Sequence, residues 1–266
     1  MSRSIRVAAC SPDVRVGELS SNLERIRDAV SAAASAGARL IVLPELATSG
    51  YVFRDQDEAR AVAMTRGDER WSMIQDALPA DAVAVVGYCE RDGSDLFNTA
   101  AVLTRTTRIG DYRKSHLWGA ERSIFQSGDS AGAVFDTAVG RLGVAICYDN
   151  EFPEVPRKIA LAGAELLALP VNWPAVPRPE GERPPETIQA MAAARSSRLA
   201  TVIADRSGTE RGVEWTEGTT IIDEDGWIAA EPADGAAIAT LTLRDMGDKS
   251  LPPHNDLFVD RRPDLY

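Results

Sequence analysis

The sequence predicts an α/β domain whose helices lie outside β-sheet. Three observations predict it. Short aliphatic runs alternate with helical stretches along the whole 266 residues, two of these successions read as βαβ units, and there is no internal repeat and no Pro, Gly or Ser tract long enough to act as a tether. The first unit opens with an apolar strand at 5–9. Leu19, Leu23, Ile26 and Val30 then recur at helical spacing in an Ala-rich run, which predicts a helix over 20–36 ended by Gly37. A nearly unbroken apolar strand at 40–43 follows and stops at Pro44, after a connection long enough for a parallel crossover. Next come a helix over 71–78, strands at 83–88 and 99–103, and a strand bent by Gly110 at 108–112. The second unit runs from a strand at 141–146, through a helix over 153–162 closed by Gly163, to a strand at 166–169. A helix over 186–198 and strands at 201–204, 219–222 and 238–243 complete the pattern.

Composition narrows the function. A chain of this length buries roughly 70% of the surface it exposes when unfolded, and 44% hydrophobic with 26% charged residues is ordinary for a globular protein. The net charge is −11, with 29 basic residues against 40 acidic and no Lys/Arg cluster, so nucleic acid is excluded as a partner. The acidic residues read as a solvated face. No run approaches the 18 apolar residues of a spanning helix, and Met1 leads into Ser-Arg-Ser-Ile-Arg without a signal-like apolar segment. Cys10, Cys89 and Cys147 have no paired spacing. A reduced, cytoplasmic protein is expected. With only His116 and His254 beside them, no zinc site is expected.

Ligands of α/β sheets gather beyond the carboxyl ends of strands, and three such ends carry chemistry. They are Leu43-Pro44-Glu45-Leu46, Tyr112-Arg113-Lys114-Ser115-His116 and Ile146-Cys147-Tyr148-Asp149. Deprotonating an ordinary thiol at pH 7 costs about 2 kcal/mol, which a neighbouring base removes. Glu45 follows an apolar strand that would bury it and raise its pKa toward neutrality, making it a candidate base. Lys114 could offset the charge and donate to an oxyanion, where one placed donor is worth about 3–4 kcal/mol. Taken singly, Cys147 reads as a small core filler, Glu45 as a helix cap and Lys114 as a surface charge. What sets Cys147 apart is the Tyr148–Pro153 sequence leading into a helix, a sharp strand-to-helix turn that would expose a nucleophile.

These residues resemble the nitrilase superfamily of carbon–nitrogen hydrolases. The resemblance is carried by Leu43-Pro44-Glu45-Leu46 with Ser49-Gly50-Tyr51, by Tyr112-Arg113-Lys114-Ser115-His116-Leu117, and by Cys147-Tyr148-Asp149 with Phe152-Pro153-Glu154. Ala162-Gly163-Ala164-Glu165, Pro170-Val171-Asn172-Trp173 and the closing Asn255-Asp256-Leu257-Phe258 with Asp260-Arg261-Arg262 extend it from end to end. Intervals of 69 and 33 residues separate Glu45, Lys114 and Cys147 in the family's order.

The resemblance implies a four-layer αββα sandwich, one domain over 1–266, no cofactor, and assembly into a homodimer or larger homo-oligomer. It implies Glu45 as general base and acid, Lys114 as oxyanion and positioning group, and Cys147 as nucleophile. Glu121 resembles a second family carboxylate that orients substrate or Lys114; the plainer reading is a solvated pair with Arg122. Tyr51, Trp118, Tyr148, Asn172 and Trp173 are expected to bind substrate, Tyr148 through its backbone N–H; Trp173 could equally cap the core. The Pro-rich stretch 174–185 reads as an irregular loop that could border the pocket. Where many relatives carry Asn near 204–206, this chain has Asp205, as does a branch that includes archaeal enzymes called nitrilases. The expected reaction is hydrolysis of a small aliphatic amide to carboxylate and ammonia through a Cys thioester. A nitrile or an N-carbamoyl compound is the alternative substrate, and a non-catalytic binding protein on the same fold is the alternative of another class.

Overall fold

The computed structural model describes residues 3–244 and 247–265. Its first unit is the expected one: strand Arg3–Cys10 (β1), helix Leu19–Ser35 (α1) and strand Leu40–Val42 (β2), with the two strands parallel. α1 buries Leu19, Leu23, Ile26 and Val30, the stripe that its spacing foretells. Helix Gln56–Ala61 (α2) has no counterpart in the sequence reading; Asp55 caps it by accepting from the Glu58 N–H at 2.8 Å. Helix Trp71–Gln75 (α3) stops short of residue 78. The chain continues there in i→i+3 turns, because Pro79 disfavours helical geometry at the residue before it.

Strands Val83–Asp92 (β3) and Asp95–Leu103 (β4) run past their expected bounds to meet in a hairpin at Gly93 and Ser94. Strand Arg108–Arg113 (β5) follows, with its register slipping opposite Val102 and Leu103, where Gly110 bends it. Strand Ala133–Thr137 (β6), only partly buried and with an apolar run of just three residues, has no counterpart in the sequence reading. Strand Gly140–Val144 (β7), helix Glu154–Leu161 (α4), strand Leu166–Pro170 (β8), helix Pro185–Ser197 (α5) and strand Ala200–Ala204 (β9) form the second parallel block. Short strands Thr209–Glu210 (β10), Val213–Glu214 (β11), Thr220–Ile222 (β12) and Ile228–Ala230 (β13) precede the long strand Ala236–Leu243 (β14).

Two six-stranded sheets result, in the orders β14-β1-β2-β3-β4-β5 and β13-β12-β9-β8-β7-β6. They lie face to face. Alternation decides which side chains meet between them: Val7, Ala9, Leu40 and Val42 point into the same core as Leu142, Val144, Leu166 and Val202. Their sequence neighbours Ala8, Cys10, Ile41 and Leu43 face the other way, against Leu23, Ile26 and Val30 of α1. α4 and α5 cover the far side of the second sheet with Val155, Ile159, Ala190 and Ala194. The order of layers is helix, sheet, sheet, helix, an αββα sandwich. β8 is buried along its whole length, which is why it reads as a continuous apolar run and not as an alternating one.

Candidate active site

The carboxyl ends of β2, β7 and β8 deliver three segments to one end of the sandwich, and β5 delivers a fourth. Glu45 stands three residues past β2 and is wholly buried. Lys114 is the first residue past β5; its N–H donates to the Asn98 carbonyl at 2.8 Å, and its side chain is equally buried. Between them the ammonium makes two short ion pairs, to Glu45 Oε1 at 2.6 Å and to Glu121 Oε1 at 2.8 Å. Asn98, on β4, donates from Nδ2 to the same Glu45 oxygen at 2.7 Å. Glu45 Oε2 is buried with no hydrogen-bond partner among the described residues. One carboxylate thus has one oxygen held by two donors and one oxygen free.

Cys147 begins a single 3-10 turn, Cys147–Glu151, with φ +47°. A non-glycine residue in this region is uncommon and marks a tightly determined backbone. The sequence reading expected this turn to expose the nucleophile. It does not: Cys147 is only 6% exposed and lies in the wall of a cavity of about 270 Å³ with Tyr148, Trp173 and Glu186. Its thiol approaches the Asn172 carbonyl at 3.9 Å. The turn is fastened by Asp149, whose Oδ2 accepts from the Ile146 N–H (3.0 Å) and the Tyr112 hydroxyl (2.7 Å). Asp149 Oδ1 accepts from Ser115 Oγ (3.0 Å) and the His116 N–H (3.1 Å), and His116 Nδ1 lies 2.7 Å away. A single buried carboxylate therefore ties the segment after Lys114 to the turn that carries Cys147.

Electrostatics follow from this burial. Glu45 is pushed up to about 7 by desolvation; the Lys114 ammonium pulls it down and the Glu121 carboxylate pushes it further up. Burial lowers Lys114, but the Glu121 and Glu45 carboxylates outweigh it and hold the ammonium well above its usual range. Burial and then the charge of Glu45 push the Cys147 thiol well up, against the pull of Lys114. The resting sulfur carries its proton, so attack by it requires a base.

Glu121 does not form the solvated pair with Arg122. It is buried at 4% exposure, accepts from the Tyr51 hydroxyl at 2.5 Å on Oε1 and from the Trp118 N–H at 3.0 Å on Oε2, while Arg122 turns to the Leu117 carbonyl. Asn172 faces Glu45: its Nδ2 donates to the Glu45 carbonyl at 2.8 Å, and its Oδ1 has no partner among the described residues. Trp173 is 3% exposed and also lines the thiol cavity. Tyr148 lies there edge-on to Trp118 at 4.9 Å, and Trp118 is half exposed. Pro174 and Val176 of the 174–185 stretch border the same cavity.

Asp205 sits behind this wall, accepting the backbone N–H groups of Trp173 (3.0 Å), Arg206 (2.8 Å) and Gly218 (2.7 Å). Two residues that no motif announced complete the surroundings. Asn98 shares Glu45, as above. Glu210 is buried, and its Oε1 accepts the N–H groups of Tyr51 (2.8 Å) and Val52 (2.7 Å) while its Oε2 pairs with Arg206 at 2.6 Å. Neither stands just past the carboxyl end of a strand, the signal that singled out Glu45, Lys114 and Cys147. Among the described residues no three His, Cys, Asp or Glu side chains are grouped to hold a metal ion, and no helix is long and apolar enough to cross a membrane.

Known proteins share this architecture and sequence. A nitrilase from Pyrococcus abyssi is 32% identical over 269 residues, spanning 98% of this chain and 99% of its own. An (R)-stereoselective amidase from a Pseudomonas species is 31% identical over 218 residues, 82% of this chain and 77% of its own. An N-carbamoylputrescine amidase of Arabidopsis thaliana is 29% identical over 277 residues, covering 97% and 91%. The crystal structure of an amidase from a Nesterenkonia species superposes with a TM-score of 0.80 at 24% identity, covering 98% of this chain and 94% of that one, which shows a common fold. The family model described as carbon-nitrogen hydrolase matches residues 6–249. By sequence along nearly its full length and by its αββα layers, this chain belongs to the carbon–nitrogen hydrolases of the nitrilase superfamily.

Proposed function

We propose that the protein hydrolyses a small amide to a carboxylate and ammonia, with Cys147 as nucleophile, Glu45 as the group that moves protons, and Lys114 as the oxyanion donor. One observation carries this reading: Glu45 keeps Oε2 free while Lys114 and Asn98 occupy Oε1, and its charge acts on the Cys147 thiol. A base so placed can take a proton without losing its anchor.

In the first half-reaction Glu45 accepts the thiol proton as sulfur bonds to the amide carbon. Lys114 and the Tyr148 N–H stabilise the negative oxygen. Glu45 then returns the proton to nitrogen, the C–N bond breaks, and ammonia leaves a thioester. In the second half, water gives its proton to Glu45 as its oxygen bonds to the acyl carbon. The S–C bond breaks, the carboxylic product departs and Glu45 restores the thiol proton. Glu121 keeps Lys114 aimed throughout. A pKa of about 7 on Glu45 suits both directions of transfer near neutral pH.

Nitrile hydrolysis is the second reading, favoured by the identity with the Pyrococcus abyssi nitrilase. The same thiol would add to the nitrile carbon to form a thioimidate. Matched amide, nitrile and N-carbamoyl substrates decide among them by ammonia and carbon dioxide release, the latter marking the carbamoyl class. Cys147→Ala is expected to abolish turnover and the acyl adduct seen by intact-mass spectrometry; full activity in that variant would refute the mechanism.

A further inference from the structure

Two cavities adjoin the reactive cluster, and they differ in polarity. The thiol cavity carries two carboxylates, the exposed Glu151 and the partly buried Glu186, whose Oε2 has no hydrogen-bond partner among the described residues. Beside it lies a chamber of about 250 Å³, roughly the volume of eight waters, which shares Trp118, Asn172 and Pro174 with the first. Its walls include Phe53, Ile124, Phe125, Val213 and Trp215. The single ionisable acid among its lining side chains is Glu121, and the oxygens of that group already serve Tyr51, Lys114 and the Trp118 N–H. Both oxygens of that carboxylate are thus turned to the protein's own donors.

The chamber is also held in shape. Its outer wall is the β10–β11 hairpin, where alternation turns Val213 toward the chamber and Glu214 toward solvent. Glu210 fastens that hairpin to the Tyr51 and Val52 N–H groups, and Arg211 fastens it to the Val52 carbonyl (2.7 Å) and to both oxygens of Glu58 (2.6 Å each). Tyr51 in turn donates to Glu121. A wall fixed before substrate arrives loses little ordering entropy on binding.

Resting on the amide reading above, we propose that the substrate's acyl substituent is uncharged and apolar, that it occupies this chamber, and that Val213 and Trp215 set its size. Magnitudes favour the apolar chamber over the acidic rim. Each buried methylene is worth about fourfold in affinity, so a chain of several outweighs an ion pair at the exposed Glu151, worth at most about fivefold.

The test compares acetamide, butanamide and hexanamide with two chain-matched amides, one ending in an ammonium (6-aminohexanamide) and one in a carboxylate (adipic acid monoamide). Across the neutral series kcat/KM is expected to rise about 250-fold, with both charged amides at least tenfold below hexanamide. Val213→Asp is expected to lower the hexanamide-to-acetamide ratio at least tenfold and to raise the relative rate on 6-aminohexanamide. Calorimetric binding of the same amides to the Cys147→Ala protein reads the chamber without turnover. Hydrolysis of all amides with no preference for length or charge, or a preference for 6-aminohexanamide, would overturn the inference and leave the amide reading standing. Length-dependent binding to Cys147→Ala without amide hydrolysis by the wild type would uphold the chamber and overturn the amide reading. Flat binding with no hydrolysis would overturn both.

Discussion

Gly87 and Glu45 touch through their backbones: a Cβ built on Gly87 would lie 2.6 Å from Glu45 Cα and 2.3 Å from the Pro44 carbonyl oxygen. β3 can lie this close to the turn after β2 only because position 87 has no side chain. Glu45 owes its depth to that contact. Gly87→Ala must push the turn outward, stretching the 2.6 Å bond to Lys114. The expected outcome is a 10- to 100-fold fall in kcat with a stability loss of only about 1–3 kcal/mol. Kinetics beside a denaturant titration check it, and an active variant with wild-type kcat would show that Glu45 tolerates displacement.

The position of Glu45 on the pH scale gives a second prediction. To accept the thiol proton it must be ionised, and burial has raised it to about 7. kcat/KM should therefore fall as pH drops through about 7, approaching tenfold per unit. The negative charge of Glu121 is one of the causes of that elevation. In Glu121→Gln that cause is gone, so the acid limb should move to lower pH even as the absolute rate falls through looser aim of Lys114. A profile from pH 5 to 9 on both proteins decides; a limb that stays put or moves upward would remove Glu45 from the role.

Glu210 and Tyr51 supply a third. Glu210 holds the Tyr51 backbone, and the Tyr51 hydroxyl reaches Glu121, which in turn holds Lys114. If Glu210 acts on the reaction through that hydroxyl, removing the hydroxyl first should make Glu210 matter less. Glu210→Gln and Tyr51→Phe are each expected to lower kcat about tenfold, and the double variant less than the product of the two. Additive effects on kcat, together with equal losses of thermal stability, would reduce Glu210 to a structural anchor.

Much of this arrangement was legible in the sequence, for physical reasons that also explain the omissions. The stripe at Leu19, Leu23, Ile26 and Val30 shows because one face of α1 is buried, and β8 shows because both of its faces are. Glu45, Lys114 and Cys147 show because each lies within three residues of the carboxyl end of a strand, and a carboxylate, an amine and a thiol at three such ends coincide. β6 was invisible because its residues are only partly buried and carry no period. α2 left a capping signal at Asp55 but only one buried residue, Ala59, so no stripe drew notice to it. Asn98 lies inside β4 and Glu210 in a two-residue strand, and their importance comes from partners 53 and 159 positions away, a relation that local pattern does not encode.

Asp205 leads to a prediction about stability. It lies wholly buried among three backbone donors, with desolvation raising it from 3.8 to about 7 and those donors and Arg206 pulling it back. A carboxyl raised by folding favours the native state in its protonated form. Its contribution is therefore complete below about pH 4 and is lost as pH rises through about 7, a change of up to about 4 kcal/mol. Asn keeps the shape but not the acceptors. Either its Nδ2 faces the Gly218 N–H or, flipped, it faces those of Trp173 and Arg206. That mismatch costs about 1–3 kcal/mol. At pH 5 Asp205→Asn should be the less stable protein; at pH 8.5, where the wild type carries a buried charge and the variant does not, the gap should narrow or reverse. Urea unfolding at the two pH values measures the difference, and parallel pH profiles for the two proteins would mean that Asp205 does not titrate in this window.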